Sequence, residues 1–476
     1  MPINESSPSS VFADEVDPRV DATLNAINWE TLLVFACPYP IQFAHWGDQI
    51  SSGYNLVRFL HRIHDTQPDT IVVRVPLRPT KELTVEHSKA LCSRLASEVA
   101  TMQYIEAYTP IPVPHIIHYN AEASGGGAGS PYIIMSKVEG SSLSSVWYEM
   151  GDDKRDAVLR QVVGIYLELS SHRFDKIGAL FKNYAVGKVA WYLKPLSLIT
   201  DPDEHSPSLS TMYSSGSDYW IAYANANLEK ISNEKFGSGN KAYEYAFLWV
   251  LRSFIPSLYD NSLDAAGFPL IPGDFHSQNI MVTNIDSDPR IVGVIDWEFS
   301  STGATSSFAQ YPKFIVDHPQ CGNDHPLRSR NARDQAKFNA FMNEAERRRN
   351  PDGDHRLSNA FANCHNIYLF EQSIQYPIYS TVLYPLLFTN VYGADEDLST
   401  DYYWGLMEHG LLKKQTKRFK TEEEVWNEVS TLLGGEVAGE NFTRETFKDF
   451  VLKNRSTFPV GSKVLEWVAA EDKLTT

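Results

Sequence analysis

One polar loop carries the clearest signal in the chain, Pro272-Gly273-Asp274-Phe275-His276-Ser277-Gln278-Asn279. A short apolar run, Ile291-Val292-Gly293-Val294-Ile295, follows it and leads directly into Asp296-Trp297-Glu298. The segment between them contains Asp286-Ser287-Asp288-Pro289, which is typical of a turn. The sequence therefore predicts an antiparallel strand pair, residues 279–282 and 291–295, inside a part of the chain that otherwise shows helical spacing.

Three polar side chains stand in a fixed order around this strand pair. Asn279 starts the first strand and Asp296 follows the return strand, so the two lie side by side and can share one metal ion. Asp274, five positions before Asn279, can lie close by without pointing at the metal. Phosphoryl transfer from a nucleotide needs such a set: one carboxylate orients the acceptor hydroxyl and takes its proton, while an amide and a second carboxylate hold magnesium against the phosphates.

These residues resemble the catalytic loop of the aminoglycoside phosphotransferase and choline kinase-like families, which use patterns such as His-Gly-Asp-x-His-x-x-Asn before a strand ending in Ile-Asp-Trp-Glu. The resemblance implies a two-lobed, protein kinase-like α+β fold with a small strand-rich N-lobe and a larger helical C-lobe. It also implies ATP as phosphoryl donor and Mg²⁺ as metal, with Asp274 as the catalytic base and Asn279 and Asp296 as magnesium ligands. Glu298 has two open interpretations, an alternative metal carboxylate or a carboxylate that supports the ligands without touching the metal.

The N-terminal part supplies a second match to the same families. A kinase-like fold needs a cation on a strand, paired with a glutamate on a helix, to hold the α- and β-phosphates. Arg74 lies on the β-branched run Thr70–Val75, and Glu98 lies on the helical segment Leu91–Met102. The resemblance favours this pairing over the alternative, a surface arginine and a solvated helix glutamate.

Two departures from the family pattern bear on activity. The strand cation is usually lysine, and arginine, although its planar fork can bind both carboxylate and phosphate, is not an equal replacement. Position 272 is proline where the families usually have a histidine that orients the catalytic loop. Both departures leave open a non-catalytic, nucleotide-binding pseudokinase with a regulatory or scaffold role. A protein kinase is disfavoured, because no Ala-Pro-Glu follows Asp296.

The resemblance further implies two nucleotide contacts. Residues 47–55 form a polar turn over the phosphates, with Ser51, Ser52 and Gly53 nearest, although two glycines are also what an ordinary turn contains. The strand Tyr132–Met135 leads into a hinge between the lobes, where the backbone of Ser136 to Val138 contacts the adenine.

The chain is expected to fall into three parts. Residues 1–20 form a flexible tail rich in Ser, Pro and Asp, and residues 21–138 form the nucleotide-binding N-lobe of strands with one helix. Residues 139–476 form the helical C-lobe, with the catalytic loop 272–279, the metal strand end 296–298 and the C-terminal helices. Helical spacing is clear over residues 159–169 and 241–258, and a capping box at 421–424 predicts one more helix.

Composition limits the partners. The 476 residues carry 42 Lys and Arg against 59 Asp and Glu, and the net charge of −17 argues against nucleic acid or an anionic membrane as partner. It is compatible with a small-molecule acceptor that is cationic. Four cysteines without a Cys-x-x-Cys pair, no apolar run that could span a bilayer and a polar N-terminus predict a cytoplasmic protein.

The acceptor itself is not indicated by any motif. Substrate choice is expected to lie in residues 201–239 and in the C-terminal helices. The acidic, aromatic stretch 395–404 has two interpretations, a lining for a cationic substrate and, more in keeping with its charge, a solvated loop. The sequence does not indicate the oligomeric state.

Overall fold

The computed structural model describes residues 17–37, 44–51, 53–64, 67–78, 84–185, 188–200, 209–233, 241–317, 325–351, 353, 355–361, 364–393, 396–417 and 419. The chain forms two compact units. The first comprises residues 1–216 and 261–364, and the second comprises residues 217–260 and 365–476. The lobe boundary expected at residue 138 lies inside the first unit and stays a prediction.

Helices and strands follow one another along the chain in both units. The helices are α1 (Pro18–Ala26), α2 (Trp29–Ala36), α3 (Val85–Tyr108), α4 (Asp152–Ser171), α5 (Gly216–Asn233), α6 (Lys241–Leu258), α7 (Thr305–Phe308), α8 (Leu327–Arg349), α9 (Arg356–Phe361), α10 (Cys364–Gln375), α11 (Pro377–Tyr392), α12 (Glu396–Glu408) and α13 (Gly410–Thr416). The strands, all in the first unit, are β1 (Ala44–Ser51), β2 (Asn55–His64), β3 (Gln67–Pro76), β4 (Ile116–Asn120), β5 (Tyr132–Ser136), β6 (Ser141–Ser142), β7 (Arg173–Phe174), β8 (Ala179–Ala185), β9 (Lys188–Lys194), β10 (Phe268–Ile271), β11 (Ile280–Thr283), β12 (Arg290–Val294) and β13 (Ser301–Thr302).

The N-terminal sheet has five antiparallel strands in the order β1-β2-β3-β5-β4. Ile71, Val73 and Val75 of β3 are buried in one cluster with Leu56 and Leu60 of β2, as expected for β-branched and apolar side chains in a central strand. The long helix α3 packs against β4, β5 and β8. The predicted strands at 56–60, 70–75 and 132–135 and the helix over 91–102 are thereby confirmed.

The predicted strand pair around the polar loop is also present. β11 and β12 are antiparallel, with Ile280 opposite Val294 and Thr283 opposite Arg290, and β6 lies on the other side of β11. α4 packs against α8, β10 and β12, and the buried core beneath includes Trp147, Tyr166 and Trp297. The helix expected over 159–169 is confirmed as part of α4.

The second unit, where the structure describes it, is built from helices, namely α6, α11, α12, α13 and most of α5 and α10. The helix expected over 241–258 is confirmed as α6. The solvated loop expected over 395–404 is wrong, because most of this stretch lies in α12. The reason is aromatic packing: Tyr403 is buried, with its ring centroid 4.7 Å from that of Phe247 and 6.3 Å from that of Tyr384.

The first unit departs from the sequence expectations in three more places. α1 begins at Pro18, so the last residues of the expected tail are helical, and α2 adds a further helix before the sheet. The polar turn expected over 47–55 is shorter, because β1 continues to Ser51 and β2 begins at Asn55. β8 and β9 form a hairpin in a region expected to be helical. The capping box at 421–424 and the side chain of Ser52 lie outside the described residues.

The mixed α+β class, with a strand-rich N-terminal region and a helical C-terminal region, is confirmed. No helix in the described parts of the chain is long and apolar enough to cross a bilayer.

Candidate active site

Asp274 lies on the loop after β10, and two cationic or polar groups face its carboxylate. Its Oδ2 is 2.9 Å from His276 Nε2, and its Oδ1 is 3.3 Å from Lys313 Nζ. His276 Nδ1 accepts a hydrogen bond from the Gln278 N–H, so Nε2 is the ring nitrogen that can donate to Asp274. Burial raises the pKa of Asp274, but the His276 hydrogen bond and the Lys313 charge outweigh it and hold that pKa below its ordinary value.

Asn279 is buried at the start of the strand pair and is fixed by Asp274. Its Nδ2 donates to the Asp274 carbonyl at 3.0 Å and lies 3.5 Å from Asp274 Oδ2. With the amide nitrogen engaged in this way, Oδ1 is the atom that Asn279 can offer to a metal. The Asn279 carbonyl accepts from the N–H of Ile295, the residue before Asp296. The strand pair therefore brings Asn279 and Asp296 to the same end, as the spacing predicts.

Arg74 joins the N-terminal sheet to this strand end. It lies on β3, is buried, and forms an ion pair with Glu98, which is buried on α3. Its Nη1 also lies 3.3 Å from Asp296 Oδ1. The structure thus brings Arg74 and Glu98 together, and it adds a contact to Asp296 that the sequence did not indicate. The functional roles of all three residues stay predictions.

Negative charge is in excess around this guanidinium. Burial disfavours the charge of Arg74, but Glu98, Asp296 and Glu298 outweigh that effect and raise the pKa of Arg74 above its ordinary value. For Glu98, burial and the neighbouring carboxylates raise the pKa to about 8, and Arg74 offsets them only in part. A bound cation would relieve this crowding of carboxylates.

Glu298 belongs to a second buried group beside the first. Its Oε2 accepts from Asn55 Nδ2 at 3.1 Å, and its Oε1 lies 3.5 Å from Arg94 Nη1. Arg94 stands four residues before Glu98 on α3, so the helix presents an arginine and a glutamate on the same face one turn apart. The sequence carries no motif at Asn55, and for Arg94 its only signal is the i, i+4 spacing to Glu98 on α3.

The segment from Asp296 to Phe299 has an unusual backbone. Asp296 and Phe299 have φ values of 58° and 59°, in the left-handed region that non-glycine residues seldom adopt. Trp297 between them is fully buried and donates its Nε1–H to the Val294 carbonyl at 3.0 Å. Such a conformation costs energy and persists only where the surroundings hold it.

Gly273 ties the catalytic loop to this segment. Its N–H donates to Ser300 Oγ at 3.3 Å, and a Cβ placed on it would lie 2.3 Å from the Glu298 carbonyl oxygen. The contact between loop and strand end, which the family resemblance assigns to a histidine at position 272, is made here by backbone packing at Gly273.

Replacing Gly273 by alanine is therefore expected to destabilise the first unit by about 1–3 kcal/mol, because a backbone atom rather than a flexible side chain must move. Urea unfolding followed by tryptophan fluorescence measures the loss. Gly164→Ala is the matched control, since no atom lies within 4 Å of its added Cβ and its position in α4 favours alanine. Equal effects of the two substitutions would contradict the close approach.

The remaining nucleotide contacts predicted from the sequence are only partly described. Ser51 ends β1 and is exposed, and Gly53 lies in the turn with open space around it. At the hinge, the Ser136 N–H donates to the His115 carbonyl and the Lys137 N–H donates to the Thr70 carbonyl. The main-chain N–H groups of Ser136 and Lys137 are thus engaged within the protein, and the hinge contacts to the nucleotide stay a prediction.

Magnesium fits this site with few protein ligands. Within the described ranges no three His, Cys, Asp or Glu side chains are grouped to hold a metal ion. An amide oxygen from Asn279 and a carboxylate from Asp296 suit Mg²⁺, which keeps several waters and takes phosphate oxygens as further ligands. The excess of carboxylates around Arg74 also suits an added cation.

Two further residues of the site have no sequence signal that is specific to them. His276 lies inside the loop pattern, but the pattern gives it no role of its own, and Lys313 lies on a short 3₁₀ turn, Lys313–Ile315, outside any motif. Their approach to Asp274 is visible only in the fold.

An α+β fold with an Asp-x₄-Asn loop, an Asp-Trp-Glu strand end and a buried strand cation is typical of phosphotransferases. The model of the phosphotransferase enzyme family matches residues 49–305, more than half of the chain. The chain belongs to this family, and the resemblance inferred from the catalytic loop is confirmed.

Curated relatives match only a short stretch. A subtelomeric hrmA-associated cluster protein of Aspergillus fumigatus is 36% identical over 86 residues, which cover 18% of this chain and 17% of that protein. The protein called altered inheritance of mitochondria protein 9, mitochondrial, of Zygosaccharomyces rouxii is 32% identical over 132 residues, which cover 25% of this chain and 20% of that protein. The chain therefore matches about a fifth of the length of these relatives.

Solved structures with a distant likeness include two kinds of kinase. The GDP complex of wild-type aminoglycoside 2′-phosphotransferase-IIIa is 14% identical, with a TM-score of 0.40 over 78% of this chain and 99% of that chain. Choline kinase from Cryptosporidium parvum is 12% identical, with a TM-score of 0.38 over 87% of this chain and 98% of that chain.

Proposed function

We propose that this protein is an ATP-dependent phosphotransferase that moves the γ-phosphoryl group to a hydroxyl of a small molecule. The observation that carries the proposal is the joint placement of Asp274, Asn279 and Asp296 at one end of the β11–β12 pair, with Arg74 and Glu98 paired beside them. Membership of the phosphotransferase enzyme family supports it.

Each residue has a distinct task in this proposal. Asp274 orients the acceptor hydroxyl and takes its proton, and His276 and Lys313 keep its carboxylate ionised. Asn279 and Asp296 would hold Mg²⁺, which when bound neutralises charge on the phosphates. Arg74, braced by Glu98, steadies the α- and β-phosphates. Catalysis of this kind consists mostly of positioning and charge compensation.

The nucleotide and acceptor sites are completed by groups that the sequence predicts. Ser51, Ser52 and Gly53 cover the phosphates, and the backbone of Ser136 to Val138 binds the base. The acceptor is a small molecule, which the acidic chain allows to be cationic. A cytoplasmic location stays a prediction, and the yeast relatives carry the word mitochondrial in their names.

One observation favours a second candidate, a nucleotide-binding pseudokinase with a regulatory or scaffold role. Arg74 contacts Asp296 directly, so the carboxylate proposed for the metal already has a cationic partner. Pro272 in place of the family histidine points in the same direction.

Nucleotide binding is the first test, and both candidates require it. Titration with ATP and Mg²⁺ is expected to raise the unfolding temperature by a few degrees, because a ligand at about 100 times its Kd adds about 2.7 kcal/mol to the stability of the state that binds it. ATP alone, with EDTA, is expected to give a smaller shift. The same titration with GTP measures which nucleotide is preferred. No shift with either nucleotide would remove both candidates.

Turnover separates the two candidates. Phosphoryl transfer to a panel of amino alcohols and aminoglycosides, and ATP hydrolysis with water as acceptor, report activity. Binding without any turnover that depends on Asp274 would favour the pseudokinase.

A further inference from the structure

We propose that Glu298, Asn55 and Arg94 form a positioning group that holds Asp296 and the phosphate-covering turn in place, and that Glu298 is not a magnesium ligand. The inference rests on the proposed function and assigns a role to a buried cluster next to the catalytic residues. It also decides between the two interpretations that the sequence leaves open for Glu298.

Both oxygens of the Glu298 carboxylate already have a partner in the protein. Only 8% of Glu298 is exposed, and Asn55 and Arg94, its two partners, are each 6% exposed. Each carboxylate oxygen faces one of them, Oε2 the Asn55 amide and Oε1 the Arg94 guanidinium. Asp296 also contacts a buried arginine, Arg74, but its side chain is 33% exposed against 10% for Glu298, so Asp296 is the carboxylate that an incoming cation can reach.

Two contacts besides the one to Glu298 hold the Arg94 side chain in place. Its Nε–H donates to the Ile199 carbonyl at 3.0 Å, and its guanidinium lies 4.5 Å from the centre of the Phe299 ring. The Arg94 side chain thus contacts both Glu298 and Phe299 of the strained segment. Its orientation does not depend on a ligand.

The cluster joins three elements of the nucleotide site. Asn55 is the first residue of β2, directly after the bend at residues 53 and 54, and the Tyr54 ring packs edge-on against Phe299, with their ring centroids 6.3 Å apart. Arg94 lies on α3, and Glu298 lies on the segment that carries Asp296. Glu298 therefore ties the root of the phosphate-covering turn and the helix α3 to the metal strand end.

Helix α3 holds this strand end on two sides. Arg94 binds Glu298 directly, and one turn later Glu98 binds Arg74, which contacts Asp296. The two contacts enclose a segment whose backbone is left-handed at Asp296 and Phe299. A conformation of this kind needs such support, and the support fixes where the Asp296 carboxylate points.

The test compares the Mg²⁺ requirement of two variants. Glu298→Gln and Arg94→Met are each expected to raise the Mg²⁺ concentration that half-saturates the ATP-dependent thermal shift by about tenfold, as is typical when support of a metal ligand is lost. The double variant is expected to raise the requirement by less than the product of the two single effects, because both substitutions break the contact between Glu298 and Arg94. Glu139→Gln is the matched control, since Glu139 is 75% exposed beside Lys137.

A direct metal ligand predicts the opposite sign for one variant. If Glu298 bound magnesium, Arg94→Met would remove a competing charge and lower the Mg²⁺ requirement, which would overturn the proposal. An unchanged requirement in both variants would overturn it too, because it would leave the cluster only a structural role.

Failure of the proposed function is recognised separately. If the wild-type protein shows no Mg²⁺-dependent shift with ATP, the proposed function fails, and the cluster is judged by urea unfolding of the same three variants. A loss of stability in the double variant that is smaller than the sum of the two single losses would still support the contact between Arg94 and Glu298. Additive losses would overturn it.

Discussion

Replacement of Asp274 by asparagine is expected to lower the rate of phosphoryl transfer by about 10²–10⁴-fold, while ATP still binds. Asparagine keeps the size of the side chain and can still hydrogen-bond the acceptor hydroxyl, but it cannot take a proton. Asn279 keeps its hydrogen bond to the main-chain carbonyl of residue 274, so the side chain proposed as a metal ligand keeps its shorter contact to this loop.

Neither neighbour of Asp274 can replace it as a base. Lys313 carries a charge that draws the carboxylate into an ion pair, and His276 donates to it through Nε2. Both groups lower the pKa of Asp274 against the opposing effect of burial, so the carboxylate is ionised across the neutral range. In its proposed role Asp274 aligns the acceptor hydroxyl and takes its proton, and an amide can supply only the alignment.

The rate is measured as acceptor-dependent release of ADP and as ATP hydrolysis with water as acceptor. Asp288→Asn is the matched control, because Asp288 lies in the turn of the same strand pair, is 60% exposed and pairs only with the equally exposed Arg290 among the contacts described. An Asp274→Asn variant that keeps more than a tenth of the wild-type rate, with the control unchanged, would remove Asp274 from the role of base.

The catalytic loop was predictable because its geometry is local. Asp274, Asn279 and Asp296 come together through one strand pair and one turn, and the period of the strands fixes which ends meet. The contact between Arg74 and Glu98 could not be predicted from spacing, because no rule of spacing places a strand beside a helix 24 residues later. The family resemblance supplied that relation.

The contacts that were missed depend on the folded chain. Arg94 and Glu298 are 204 residues apart, and Lys313 reaches Asp274 from a short turn without a motif. The sequence predicts a polar turn over part of β1, because this edge strand has mostly exposed side chains and lacks the apolar alternation of a half-buried strand. The helix α12 was not predicted, because its acidic residues are typical of a solvated loop and its buried face is limited to the residues around Tyr403.

Replacement of Arg74 by methionine is expected to destabilise the first unit by about 3–5 kcal/mol and to abolish the ATP-dependent thermal shift. Methionine fills similar volume but leaves Glu98 buried without its cation, close to Asp296 and Glu298. Removal of one partner of a buried ion pair leaves an uncompensated charge, which explains the size of the loss. Urea unfolding and the ATP and Mg²⁺ titration measure the two effects.

The stability loss in this variant is expected to depend on pH. Burial and the neighbouring carboxylates raise the pKa of Glu98 to about 8 even with Arg74 beside it, and loss of the Arg74 charge, which lowers this pKa, is expected to raise it further. A carboxyl group with a raised folded-state pKa contributes stability that is present below the unfolded pKa and is lost as the pH rises through the folded pKa. In the wild type this loss ends near pH 8, whereas in Arg74→Met it continues to higher pH, so the difference in unfolding free energy between the two is expected to be smaller at pH 7 than at pH 9.

Two comparisons show whether the charge of Arg74 or its location causes the effect. Arg290→Met removes an arginine whose ion pair with Asp288 is exposed, and it is expected to cost about 1 kcal/mol or less. Arg74→Lys keeps the cation but not the planar fork that reaches both Glu98 and Asp296, so it is expected to recover most of the stability and only part of the nucleotide affinity. If Arg74→Met lost no more stability than Arg290→Met, the buried pair with Glu98 would not be what joins the sheet to α3, and the assignment of Arg74 to the phosphates would lose its structural support.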